Sequence, residues 1–304
     1  MVSDAFVLIL SMLGVGYAFA RLRMLPDTAA DTLNRVVLYL CLPAAVLLAL
    51  PKLHLDLALM GLALTPWVVV LMTWGLLRLF GCWIHLRRDE YAVLLLCVGL
   101  GNTGFVGYPM AAALLGPETL AYAVIYDQFG TFLLLSTFGL YVCASFGGEA
   151  RPTARDIVLR ILRFPPAWAL MAALTVMPEA PPGWLAHGLQ SLADAMLPLV
   201  MLAVGFSLRF QLPRSDIGAL TLGLGLKLLL LPMVVWLGSS LVGMEGQILQ
   251  TNVLETAMPA MITAAVFAIA HNLAPRLAAA LVGYGILLSM FSLPLWAWAL
   301  RHLA

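Results

Sequence analysis

The stretch GNTGFVGYPM, residues 101–110, decides how this chain is read. Apolar sequence flanks it on both sides, YAVLLLCVGL (91–100) before it and AAALL (111–115) after it. Within ten residues it places three glycines, an Asn, a Thr and a Pro. In a helix interior Gly costs about 1 kcal/mol and Pro about 3 kcal/mol relative to Ala. Such weak helix formers inside a hydrophobic run predict a helix that breaks where it lies deepest.

The surrounding chain has 304 residues, 63% hydrophobic and only 10% charged, with a mean hydropathy of +1.00. Soluble domains carry about 25% charged residues. A chain this apolar cannot cover a soluble surface, so it reads as an all-α polytopic membrane protein. A crossing helix needs about 20 mostly apolar residues. By that measure ten spans fall at 4–20, 34–50, 56–80, 91–115, 119–143, 157–177, 188–208, 216–241, 246–271 and 275–300. No basic residue precedes the first apolar run, which therefore reads as a retained span rather than a cleaved signal. The net charge of +1, with no basic patch, argues against nucleic acid as a partner; the lipid bilayer is the expected one. Cys41, Cys82, Cys97 and Cys143 show no metal-ligand spacing and read as small buried hydrophobes. No GxSxG, HExxH or paired intramembrane aspartate occurs, so no enzyme, resident metal or cofactor is expected.

Orientation follows from Lys and Arg in the links. Thirteen of the 16 basic residues fall on the side of the odd-numbered links. Only Lys52 and Arg301 fall on the other side, and Lys227 lies inside a span. Both termini are therefore expected on the non-cytoplasmic side of a bacterial inner membrane.

Five spans (1–145), a central cytoplasmic link (146–156) and five more spans (157–304) predict two repeats of opposite topology. Such inverted repeats are typical of secondary transporters, with the substrate site near mid-membrane. Shifting the chain by 150 residues brings NTGFVGYPMAAALL (102–115) onto NVLETAMPAMITAA (252–265), with N-x6-P in both. Asn102 then matches Asn252, and Pro109 matches Pro259. Proline removes a helix donor and clashes with the preceding turn, so spans 4 and 9 are expected to break and cross. Their half-helix N-termini would suit an anion. Gly104, Met258 and the two prolines line these expected breaks. Asn102, Thr103, Tyr108 and Asn252 either bind substrate there or satisfy loose backbone.

Ionisable groups inside spans are costly and mark function by default. Asp127, with Gln128 beside it in span 5, Glu255 in span 9 and Lys227 in span 8 are the candidates for proton or ion coupling. Lys227 pairs with one of the carboxylates, or with an anionic substrate. Trp83, Trp184 and Trp296, near span ends, are expected to anchor at the interface.

GNTGFVGYPMAAALLGPETLAYAVIYDQFG (101–130), LPLVMLAVGFSL (197–208), LETAMPAMITAAVFAIAHN (254–272) and LLSMFSLPLW (287–296) together resemble the auxin efflux carrier family in its short bacterial form. The resemblance implies a bile-acid symporter-like fold. Spans 1, 2, 6 and 7 would form a scaffold able to dimerise, and spans 3–5 and 8–10 a transport domain moving like an elevator. It also implies a small organic anion as substrate. No arginine lies in the crossing segments for a second carboxylate, so the residues do not favour a dicarboxylate. The expected coupling ion is H+. The alternative is a Na+ symporter, with Asn102, Thr103 and Glu255 supplying oxygens.

Overall fold

The computed structural model describes residues 2–53, 57–148, 153–208 and 216–303. Among them every regular element is helical. The helices are α1 (Val2–Leu22), α2 (Ala29–Lys52), α3 (Leu57–Ile84), α4 (Arg88–Gly99), α5 (Thr103–Leu115) and α6 (Pro117–Gly147). There follow α7 (Ala154–Leu162), α8 (Pro165–Thr175), α9 (Gly183–Ser207) and α10 (Ile217–Leu241). The last are α11 (Gly246–Thr256), α12 (Ile262–Ala270) and α13 (Pro275–Leu303). Six of these, α2, α3, α6, α9, α10 and α13, are long and apolar enough to cross a membrane.

Several helices contain π-helical turns, and the sequence explains three of the five seen among the described residues. Val37–Cys41, Thr103–Gly107 and Leu226–Leu230 are each centred four residues before a proline: Tyr39 before Pro43, Phe105 before Pro109 and Leu228 before Pro232. A proline ring clashes with the carbonyl four residues back, and the wider turn moves that carbonyl aside. The other two, Asp127–Thr131 and Leu135–Gly139 in α6, contain no proline and have none just downstream.

The segment 157–177, read as one span, is two helices. Phe164 precedes Pro165 and is extended at φ −90°, ψ 111°, as expected for a residue whose α conformation the proline ring disfavours. The break leaves an amphipathic α7 and an α8 that rises about 17 Å, well short of a 30 Å hydrocarbon core.

The chain gathers into two compact units. One comprises Met1–Leu55, Gly104–Val124 and Ile161–Leu208; the other comprises Asp56–Thr103, Ile125–Arg160 and Arg209–Ala304. In the first, α1 lies along the second half of α9. Gly16 stands against the Leu202 carbonyl and Gly205 against the Leu13 carbonyl, so neither position has room for a side chain. Small residues on both sides permit this approach. In the second unit, α4 runs through the core with Ala92 to Gly99 all buried. A helix apolar on every side belongs at a centre, and α4 delivers its C-terminal end, and the chain that follows, to the middle of that unit.

Candidate functional site

Within the second unit two helices stop in mid-course and their loose ends pair. After 12 residues α4 gives way to Leu100, Gly101 and Asn102, with Leu100 extended at φ −110°, ψ 117°. After 11 residues α11 gives way to Ala257–Met261, where Pro259 can donate no hydrogen bond. Gly101 and Ala260 form an isolated antiparallel bridge. The Asn102 N–H donates to the Pro259 carbonyl at 2.8 Å, and the Met261 N–H donates to the Leu100 carbonyl at 3.1 Å. The breaks thus satisfy part of each other's backbone, as they must where water is scarce. No side chain caps α12, so its partly positive N-terminus opens beside the crossing.

Gly101 has a steric reason to be glycine. A Cβ there would stand 3.1 Å from Lys227 Nζ and 3.4 Å from the Glu255 carbonyl oxygen. Successive side chains of an extended segment point to opposite faces. Position 101 faces Lys227, so Asn102 projects to the other face of the crossing. Its amide is fully buried, and neither Nδ2 nor Oδ1 has a hydrogen-bond partner among the described residues.

One turn of α6 grips both breaks. Thr103, just past the first, donates through Oγ1 to Asp127 Oδ1 at 2.5 Å. Gln128 Nε2 donates to Asp127 Oδ2 at 3.0 Å. Next to them Tyr126 and Thr256, just before the second break, are joined at 3.0 Å. The Thr256 hydroxyl donates to the Asn252 carbonyl at 2.8 Å, which makes Tyr126 the donor of that pair. Asp127 and Gln128 lie on a proline-free π turn, a distortion common at functional sites.

The other polar candidates differ in how they are held. Asn252 Nδ2 donates to Ser239 Oγ at 3.0 Å and contacts Met244 Sδ at 3.6 Å, while its Oδ1 has no partner among the described residues. Both carboxylate oxygens of Glu255 are buried without a hydrogen-bond partner among the described residues, within electrostatic range of Asp127 and Lys227. Lys227, itself buried, has no described carboxylate within 4 Å. Met258 and Pro259 are buried in the second break. Outside the buried region, Arg87 anchors the start of α4. Its N–H donates to Glu90 Oε2 at 2.8 Å and its Nη1 lies 3.8 Å from Asp216 Oδ1. The hydrogen bond to Asp89, with Glu90 and Asp216 nearby, lifts its guanidinium further above the usual range.

Several expectations are corrected. The breaks do not fall at equivalent positions under the 150-residue shift, since the first lies at Leu100–Asn102 and the second at Ala257–Met261. Pro109 lies inside α5, where a π turn absorbs it, and belongs with Gly104 and Tyr108 to the first unit. Asn252 and Glu255 sit within α11 rather than in the break. Trp83 and Trp184 are well exposed, but Trp296 is not a simple interface anchor. Its indole N–H donates to the Leu228 carbonyl at 2.8 Å. That is the carbonyl Pro232 cannot satisfy, lacking an N–H. Trp67 donates likewise to the Phe129 carbonyl at 3.1 Å, in the α6 π turn. Tyr126, Thr256, Ser239 and these two tryptophan bonds had no sequence signal, because each depends on a partner distant in the chain.

Apolar helices with two paired interruptions and unpartnered buried polar groups define a multi-pass membrane protein with a transporter-like site. The chain belongs to the membrane transport protein family, whose pattern matches residues 1–297; this is the auxin efflux carrier family. An uncharacterized transporter of Methanothermobacter thermautotrophicus is 33% identical over 301 residues, covering 97% of each chain. One from Methanocaldococcus jannaschii is 27% identical, over 98% of this chain and 99% of its own. One from Escherichia coli K12 is 24% identical, over 99% of this chain and 98% of its own.

Proposed function

We propose that this protein is a secondary carrier of a small organic anion, driven by protons or by the membrane potential. The observation that carries the reading is the buried Asn102 amide at the crossing. An unpaired buried polar group costs about 1–3 kcal/mol, and a leucine of similar volume would remove that cost. A substrate carboxylate that pairs with the amide and the open end of α12 gives a reason to keep it. Ten spans in two inverted repeats, with spans 4 and 9 crossing, are the arrangement in which such a site alternates between the two sides of the membrane. Spans 1, 2, 6 and 7 form the scaffold, through which two copies would pair, and spans 3–5 and 8–10 the elevator-like transport domain. The compact unit that holds 1–55 and 161–208 matches those scaffold spans, and it also takes in 104–124 from spans 4 and 5. Glu255, with Asp127, Gln128 and Lys227 around it, is the proton-handling group. The setting is a bacterial inner membrane, with both termini outside the cytoplasm.

A sodium-coupled symport is the second reading, and the partnerless oxygens of Glu255 favour it. Against it, Thr103 is engaged by Asp127, and Lys227 places a like charge nearby.

The test is charge movement in sodium-free proteoliposomes as a panel of organic acids is added, with native protein beside Glu255→Gln. A saturable current with one class of acid, lost in the variant, is the expected result. Current that appears only with sodium selects the second reading. Absence of both current and radiolabel flux overturns the proposal.

A further inference from the structure

We propose that α7 lies in the headgroup layer of the cytoplasmic leaflet and binds anionic phospholipid through Arg155 and Arg163. The helix connects the compact units, since one ends at Arg160 and the next segment of the other begins at Ile161. At 100° per residue, Ile157, Val158, Ile161 and Leu162 fall on one arc, and Arg155 borders it. Val158 is 52% and Leu162 50% exposed, which leaves an apolar face that no described residue covers. Arg155 and Arg163 are exposed as well. Asp156, whose carboxylate accepts from the Thr153 N–H at 2.9 Å and from the Thr153 hydroxyl at 2.7 Å, stays charged within range of Arg155 and offsets only part of the positive charge. The far end of the helix is closed by the exposed Trp168, whose indole N–H donates to the Leu162 carbonyl at 2.7 Å.

Aliphatic side chains facing out, arginines beside them and a tryptophan at the end match the boundary between acyl chains and charged headgroups. The charge decides the kind of lipid. From 149 to 163 the sequence carries four arginines against Glu149 and Asp156, and each basic residue near an anionic surface is worth roughly a fivefold preference. A neutral bilayer would satisfy the apolar arc but leave the arginines without counter-charge.

The test needs no substrate, so its failure is distinct from failure of the carrier reading. Cys82 is the exposed cysteine, and the other three are buried. A Cys82→Ser, Val158→Cys chain accepts an environment-sensitive fluorophore on α7, and the protein is placed in vesicles holding brominated phosphatidylglycerol or brominated phosphatidylcholine in equal fraction. The expected result is quenching at least about twofold stronger with the anionic lipid, falling towards parity in 0.5 M salt, where screening shortens the reach of charge. Arg155→Gln with Arg163→Gln abolishes the preference but keeps the quenching. Equal quenching by both lipids in the unsubstituted chain at low salt overturns the proposal, as does a label that no lipid quenches. The salt arm uses the arginine-intact chain and decides the matter even if the arginine variants fold poorly.

Discussion

The two helix breaks do the same job with different materials. The first is Leu100–Gly101–Asn102, with no proline, and it exists because Gly101 lets the backbone pass beside Lys227 and the Glu255 carbonyl. The second spans Ala257–Met261 and is set by Pro259, while Ala260 across the bridge already carries a Cβ. One break depends on the absence of a side chain and the other on the absence of a donor. The polar groups around them differ in the same way. The Asn102 side-chain amide is held by nothing described, whereas that of Asn252 is tied to Ser239. A break can thus be held by sterics or by hydrogen bonding, and only the groups left over are free for a ligand.

The largest effect should break this contrast at the bridge itself. Gly101→Leu forces a side chain into Lys227 Nζ and the Glu255 carbonyl, and overpacking of this kind costs about 1–3 kcal/mol. Uptake in proteoliposomes should fall to background and thermal stability should drop. Ala260→Gly, at the partner position, should leave both within about twofold.

The next contrast separates function from stability. Asn102→Leu should abolish uptake while leaving the melting temperature unchanged or raised, since it removes two unpaired groups. Asn252→Leu should do the reverse in part, losing about 1 kcal/mol with the Ser239 bond and retaining measurable uptake. Equal losses of stability in the two variants would remove the distinction between them.

A smaller effect is expected at the tryptophans. Trp296→Phe strands the Leu228 carbonyl, at a cost of about 1–2 kcal/mol in thermal unfolding. Trp67→Phe should cost less, because Trp67 is 38% exposed and its carbonyl partner has no proline beyond it.

The smallest lies outside the crossing, at the start of α7. The hydrogen bonds from Thr153 hold the Asp156 carboxyl below its usual pKa. A depressed carboxyl stabilises the helix end above its unfolded value, and that contribution fades as pH falls through the folded one. Amide exchange of residues 154–158, corrected for intrinsic rates, should accelerate below about pH 4. Asp156→Asn should flatten this dependence.

The sequence alone placed the first break near residue 101, because glycines inside a hydrophobic run have few other uses, although Pro109, the other signal there, lies inside α5. Glu255, Asp127 and Lys227 were legible for a similar reason, as charges in apolar surroundings. The partner of the first break, the interruption around Pro259, was legible too, but the register between them was not. N-x6-P recurs at an offset of 150, but the breaks lie at 100–102 and 257–261, and a proline four residues beyond the centre of a π turn need not break a helix at all. The clamp of Tyr126 on Thr256 and of Asp127 on Thr103 could not be read, since neither spacing nor composition links residues 130 or 24 positions apart. Trp296 looked like an interface residue because its body is amphipathic; only the fold reveals which end finds a partner.

The two proline-free π turns of α6 have a consequence for how this helix can change over time. Each fits an extra residue into a turn, and one residue is about 100° of rotation. The helix is therefore read in three successive frames, before residue 127, between the turns, and after residue 139. Substituting a residue alters one contact, but deleting one rotates everything downstream against its neighbours. Among relatives, α6 should vary in side chains far more readily than in length.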